Sequence, residues 1–463
     1  MVIKMINKYL SELLDYAVDN GLIKEVDRIY AVNRVLNLVG ADSFDYSDYE
    51  KHNNIEELLS DILDYAAEKG KLEMNTTTYR DILSADIMDV FTPIPSSLYD
   101  TFFAKYDKSP KEATDYFYAL SKANNYIMTE RINKNIIWKT KTDKYGDIDL
   151  TINLSKPEKD PKEITLAKLS KQSGYPKCLL CKENMGFEGT ATHPPRANHR
   201  IIPVKLGDEQ WYFQYSPYGY FNEHCILFHG EHEPMKITRR TFERLLTFVE
   251  QYPHYFMGSN AGLPIVGGSI LTHDHYQGGN YEFPMAKCGF RYEVSFDGFD
   301  DIKAGVVDWA LSTIRIIGKD KDRVIELADR INEAWKEFTD EENDIYAFTD
   351  APHNAITPIA RKRNGMFEFD LILRNNRTSE EHPFGIFHAH EEYHHVKKEN
   401  IGLIEAMGLA VLPPRLTTQF GELNDDVKQD IGNVFEKILE NCAVFKDTEV
   451  GNKGILKFIS TVK

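Results

Sequence analysis

A chain of 463 residues with 72 acidic and 55 basic side chains carries a formal net charge of −17. That balance argues against general nucleic-acid binding, which needs a basic face. It leaves room for a small phosphorylated ligand held by a local group of arginines. Hydrophobic (42%) and charged (27%) fractions are ordinary for a globular protein, and the length suits roughly two to four domains. No apolar run approaches the ~20 residues of a membrane span and no charged-then-apolar leader opens the chain, so no membrane partner and a cytoplasmic location are expected. Five cysteines do not suggest a disulfide framework. Of the 15 histidines only His52 lies outside the span His193 to His395, which places the chemistry in the C-terminal two-thirds.

Residues 1 to about 130 predict helices. Ile6 to Asn20, Glu25 to Val39 and Ile55 to Lys69 repeat apolar residues every three or four positions, with Gly21, Gly40 and Gly70 where C-caps would stand. Thr92 to Ser97 breaks the pattern and Lys111 to Tyr126 resumes it, giving a helical scaffold. From Asn135 the period changes: Ile136 to Thr142 and Ile148 to Leu154 predict two strands around Lys144-Tyr145-Gly146-Asp147. A surface loop over Ser155 to Lys162 then leads to a short helix near Ile164 to Lys171.

Cys178-Leu179-Leu180-Cys181 has the spacing of half a tetrahedral metal site, the alternative being two core cysteines. An irregular basic loop follows from Thr192 to Arg200. Strands are expected at Ile201 to Leu206, Gln210 to Tyr215 and Glu223 to Phe228, and an amphipathic helix at Thr238 to Tyr252. Val306 to Glu341 reads as helical, with a break at the charged run Lys319 to Arg323. Phe367 to Arg374 alternates as a strand, Ile386 to His390 predicts another, and Asp425 to Asn441 a last helix before a short tail.

The most informative stretch is Gly267 to Gly279. Taken as one strand, it puts Ser269, Leu271, His273, His275 and Gln277 on one face, each roughly 7 Å from the next. A neutral imidazole is a good nucleophile toward phosphorus and a good metal ligand. Gln277 cannot exchange protons near neutrality, so it can orient a phosphoryl group without acting as a general acid. A transferase that parks a nucleotidyl group on histidine fits this pattern better than a hydrolase. Arg196, Arg200, Arg374 and Arg377 are candidate phosphate clamps, because a guanidinium matches phosphate bidentately.

His273-Asp274-His275-Tyr276-Gln277 resembles the His-x-His-x-Gln signature of galactose-1-phosphate uridylyltransferases, within the histidine-triad superfamily. Three further strings are similar to the class II, mainly bacterial, form: Pro264 to Thr272, Asn222 to Ile226, and Phe384 to His395. The resemblance spans nearly the whole chain. It implies an α+β fold, with a helical N-terminal region followed by two histidine-triad-like lobes built on antiparallel sheets. The corresponding boundaries are 1–160 (helical region with a short hairpin), 161–300 (first lobe), 301–345 (helical connector) and 346–463 (second lobe).

The resemblance also implies substrates and roles. UMP would pass between UDP-glucose and galactose-1-phosphate on His275, with Gln277 holding a phosphoryl oxygen. Asn260 and Ser269 are similar to phosphate-contacting positions, although Ser269 precedes His273 by four residues where the better-known class has three. Leu403-Ile404-Glu405-Ala406-Met407 is similar to a segment whose glutamate binds sugar hydroxyls, which assigns Glu405. A structural zinc would be held by Cys178, Cys181, His224 and His273. His388 and His390 resemble a second His-x-His that holds iron or zinc, with His353 and Glu282 able to complete it. Members of this family often form homodimers. Two other readings stay open: a dinucleoside-polyphosphate phosphorylase, and a non-catalytic zinc module using the same histidines as ligands.

Overall fold

The structure is a computed structural model that describes residues 2–155, 174–268 and 270–463. The loop and short helix expected over 155–171 lie almost wholly outside the described residues, as does Ser269. The chain divides into two compact units, 1–134 with 155–204 and 212–219, and 135–154 with 205–211 and 220–463.

In the first unit the N-terminal residues form helices at Val2–Asp19, Arg28–Val39, Ile55–Glu68, Thr77–Asp89, Pro95–Tyr106 and Pro110–Ala123. Caps explain several starts. The Asn54 side chain accepts from Glu57 N–H, and that of Ser109 from Lys111 N–H, each worth about 1 kcal/mol. Thr92 to Ser97 is where a helix begins as well as where one ends. Pro95 sits in the first turn of Pro95–Tyr106, where its missing N–H costs nothing. The basic loop is built into the same unit: Asn124 donates to Asn198 O at 2.7 Å, and Asn198 returns a bond to Asn124 O at 2.8 Å.

Most of the strands belong to the second unit. In chain order the strands are β1 (Ile136–Lys141), β2 (Asp147–Ile152), β3 (Ile202–Leu206), β4 (Glu209–Tyr215), β5 (Cys225–His229), β6 (Phe256–Gly258) and β7 (His275–Gly279). They continue with β8 (Phe290–Val294), β9 (Lys303–Val307), β10 (Thr313–Gly318), β11 (Asn354–Arg363), β12 (Met366–Asn375) and β13 (Leu409–Leu412). The β1–β2 hairpin pairs with β13, parallel to β2, and Trp138 donates to Lys428 O in the helix Asp425–Cys442. Along the main sheet of this unit the order is β5-β7-β6-β11-β12-β10-β9-β8, with antiparallel pairing throughout. The fold is thus α+β with an antiparallel main sheet, as expected, and the smaller sheet is mixed.

Three local expectations are corrected. Val306 to Glu341 is not one helical stretch: β9 and β10 precede a helix at Lys321–Glu337. The β-branched Thr313-Ile314-Arg315-Ile316-Ile317 fits a pleated, buried strand. The charged run is the start of that helix, where Asp320 caps it by accepting from Asp322 and Arg323 N–H. Ile386 to His390 is irregular, and the C-terminal tail contains a helix, Glu449–Ile459.

A buried ionic knot ties the far half of the sheet. Asp370 on β12 is fully buried and accepts from Arg315 Nε at 2.5 Å and Arg361 Nη2 at 2.6 Å, while Arg361 also bonds Glu368. Burial opposes the carboxylate, yet Arg361 and Arg315 hold its pKa below the usual value. Replacing Asp370 by alanine leaves Arg315 and Arg361 buried with only Glu368 between them, at 3.6 Å from Arg315. We expect about 3–5 kcal/mol of lost stability, read as a lower denaturant midpoint with unchanged slope.

Candidate active site

Only residues 275–279 of the informative stretch form a strand; Gly267 to Asp274 is irregular apart from Ser269, which is outside the description. The alternation therefore holds for His275 and Gln277, which share a face of β7, and does not extend back to His273. The reason lies in the backbone around Gly267. A Cβ there would stand 2.3 Å from Ala261 O and 2.5 Å from Leu263 O, so the chain folds over itself and does not run extended.

Each ring on this segment is oriented by its own backbone. His275 Nδ1 lies 2.8 Å from His273 O. A carbonyl can only accept, so Nδ1 carries the proton and Nε2 carries the lone pair. Burial pushes the His275 pKa down to about 4, which keeps the ring neutral at ordinary pH. His273 is fixed in the opposite sense: Nε2 donates to His229 O at 2.8 Å, leaving Nδ1 basic. Behind the strand, Asp274 accepts from Arg244 at 3.0 Å, and Arg244 is itself held by Glu209 and stacked over Trp211. This backstop contains no residue singled out from sequence.

Gln277 is half-buried, and its Oε1 accepts from His224 Nε2 at 3.1 Å. That changes the place of His224. Its ring is turned toward Gln277 and packed on Phe221, while the imidazole beside His273 is His232, with ring centroids 4.9 Å apart. In the first unit the sulfurs of Cys178 and Cys181 lie 3.6 Å apart. Cys178 and Cys181 offer two thiols, and His232 and His273 two imidazoles, of the kinds that ligate a metal. His232 was missed because it sits in a loop after β5 with no periodic signal; the only hint was the His229-Gly230-Glu231-His232 spacing.

Asn260 is buried and accepts from Leu403 N–H at 2.8 Å, in the segment that carries Glu405. Glu405 accepts from Gly402 N–H and pairs with the buried Lys397 at 3.2 Å. The arginines divide. Arg200 donates to Pro93 O, Ala197 O, His199 O and Asp89, which spends its guanidinium on holding the basic loop. Arg377 bonds Asp344 and covers Tyr346, with its Nε unpartnered. Both guanidinium groups are engaged as structural ties. Arg374 is buried and gives one bond to Ile401 O at 2.7 Å, with Nε and Nη1 unpartnered. Arg196 lies over Tyr126, with its Nε unpartnered.

His388 is buried, and its pKa is pushed down to about 4 by burial. His390 stacks on His382 with centroids 4.1 Å apart. The candidates for completing that pair are engaged elsewhere: Glu282 with Arg363, and His353 with Thr349 and Asn376.

A neutral, oriented imidazole and a carboxamide thus share one face of β7. Residues 21–234 match the family described as galactose-1-phosphate uridyl transferase, N-terminal domain, and residues 248–438 match its C-terminal domain. A galactose-1-phosphate uridylyltransferase of Clostridium perfringens is 47% identical over 99% of this chain and 99% of its own length. That of Clostridium acetobutylicum is 52% identical over 93% and 87% respectively. A yeast Ap4A phosphorylase structure is 11% identical, covering 74% of this chain and 94% of its own, at a TM-score of 0.39. The chain belongs to the galactose-1-phosphate uridylyltransferase family. Among the described residues no helix is long and apolar enough to cross a membrane.

Proposed function

We propose that this protein exchanges UMP between UDP-glucose and galactose-1-phosphate through His275. The supporting observation is the bond from His275 Nδ1 to His273 O, which reserves Nε2 as the nucleophile. Nε2 attacks the α-phosphorus of UDP-glucose; the P–N bond forms as the bond to the glucose-1-phosphate oxygen breaks. A phosphate oxygen of galactose-1-phosphate then attacks the same phosphorus and releases the imidazole as UDP-galactose forms. One phosphoryl bond is traded for another of similar kind, so no outside energy source enters. Gln277 donates its amide to a non-bridging oxygen in both steps. Incubation with UDP-glucose labelled at the α-phosphate tests this. The protein should acquire acid-labile, alkali-stable label that galactose-1-phosphate discharges, and ping-pong kinetics should follow. Discharge by inorganic phosphate alone would favour a phosphorylase, and absence of label would refute the carrier role.

The finer readings rest on donor chemistry and family. Two thiols and two imidazoles suit a closed, structural zinc site, which would fix the segment leading into β7. Cys178, Cys181 and His273 are proposed ligands, with His232 in place of His224 as the fourth. Metal analysis should find about one zinc per chain, lost with Cys181→Ser or His232→Ala and retained when His224 is replaced. A cytoplasmic location and a homodimer are supported by the family resemblance.

A further inference from the structure

His224 sits at the entrance to β5, opposite the end of β7, and is 4% exposed. Its ring packs at 4.4 Å between centroids on Phe221 and at 5.4 Å on Tyr220, so it has one orientation. Its only hydrogen bond runs from Nε2 to the Gln277 oxygen at 3.1 Å, and Nδ1 has no partner. A carboxamide has two unlike ends. Held by its oxygen, Gln277 must present N–H outward; rotated by half a turn, it would present a lone pair instead. Toward a phosphoryl oxygen the first is attractive and the second repulsive. Nothing else in the described structure bonds the Gln277 amide, so the choice falls to His224.

We propose that His224 is a positioning residue whose ring N–H sets which end of the Gln277 carboxamide faces the transferred phosphoryl group. This rests on the uridylyltransferase reading above. Burial keeps the ring neutral, consistent with a constant donor rather than a proton carrier. The role differs from metal ligation, since the imidazole beside His273 is that of His232.

The test uses the full-length protein and three substitutions. His224→Phe keeps a planar ring against Phe221 and Tyr220 but removes the donor; kcat should fall roughly 10- to 100-fold, with KM for UDP-glucose within about twofold. His224→Gln places an amide N–H near the lost Nε2 and should recover most of that loss. In a Gln277→Ala background, His224→Phe should add no further loss, because the group it orients is gone. Zinc content should be unchanged in all of them. A His224→Phe enzyme with wild-type kcat, additive losses in the double variant, or zinc lost with His224 would each overturn the assignment. If His224→Phe does not fold, His224→Gln decides alone: near-wild-type kcat sustains the proposal, and a loss as deep as that of Gln277→Ala refutes it. Failure of the underlying reading looks different, since wild type itself would then take up no label.

Discussion

Replacing His275 by asparagine is expected to abolish covalent labelling by UDP-glucose and to lower kcat by roughly 10⁴- to 10⁶-fold. The side chain of asparagine can still bond the His273 carbonyl but has no basic nitrogen to offer phosphorus. The substitution should therefore leave the strand in place. The ring is 6% exposed and bonds only that carbonyl, so the melting temperature should change little. Loss of activity with an unchanged melting curve and unchanged zinc content separates a nucleophile from a structural ligand. Retained labelling in this variant would remove His275 from the mechanism.

The second large effect is expected at Gly278, immediately after Gln277. A Cβ there would meet Phe256 O at 2.3 Å and the Met257 side chain at 2.6 Å. Met257 can turn aside. The Phe256 carbonyl cannot, because β6 is locked to β7 through Phe256–Gly279 and Met257–Gly278. Gly278→Ala must push the two strands apart, at about 1–3 kcal/mol, and it moves Gln277 with them. We expect a lower melting temperature together with a fall in kcat. Gly289→Ala is the control, since a Cβ there meets nothing within 4 Å. Equal behaviour of the two variants would refute the argument.

What could be read from the sequence was local and periodic. The helix Ile55–Glu68, the β1–β2 hairpin and the long β12 strand announce themselves by spacing within about two residues of where they occur, three other helices of the first unit within about four, and Thr77–Asp89 and Pro95–Tyr106 do not stand out by spacing. The short strands β6, β8 and β9 carry too few residues for a period to show, and their pairing is set by neighbours far along the chain. The site divides the same way. His275 and Gln277 lie two apart on a true strand, and alternation finds them. His273 lies on an irregular turn where alternation means nothing. Arginines cannot be sorted by sequence at all: Arg200 and Arg196 share one loop, yet the first is consumed by four carbonyls and a carboxylate while the second keeps an unpartnered nitrogen. His224 was visible as a residue but not in its role, because its neighbour is 53 positions away.

One consequence concerns the handedness of the phosphorus centre. With one ring nitrogen of His275 tethered, departing and arriving sugar phosphates must both use the side of phosphorus opposite the remaining nitrogen. Each in-line displacement inverts the centre, so two in succession restore it. A chiral thiophosphate analogue of UDP-glucose should yield UDP-galactose of the same configuration. It also follows that the two hexose phosphates occupy a single pocket in turn and compete for the uridylylated enzyme.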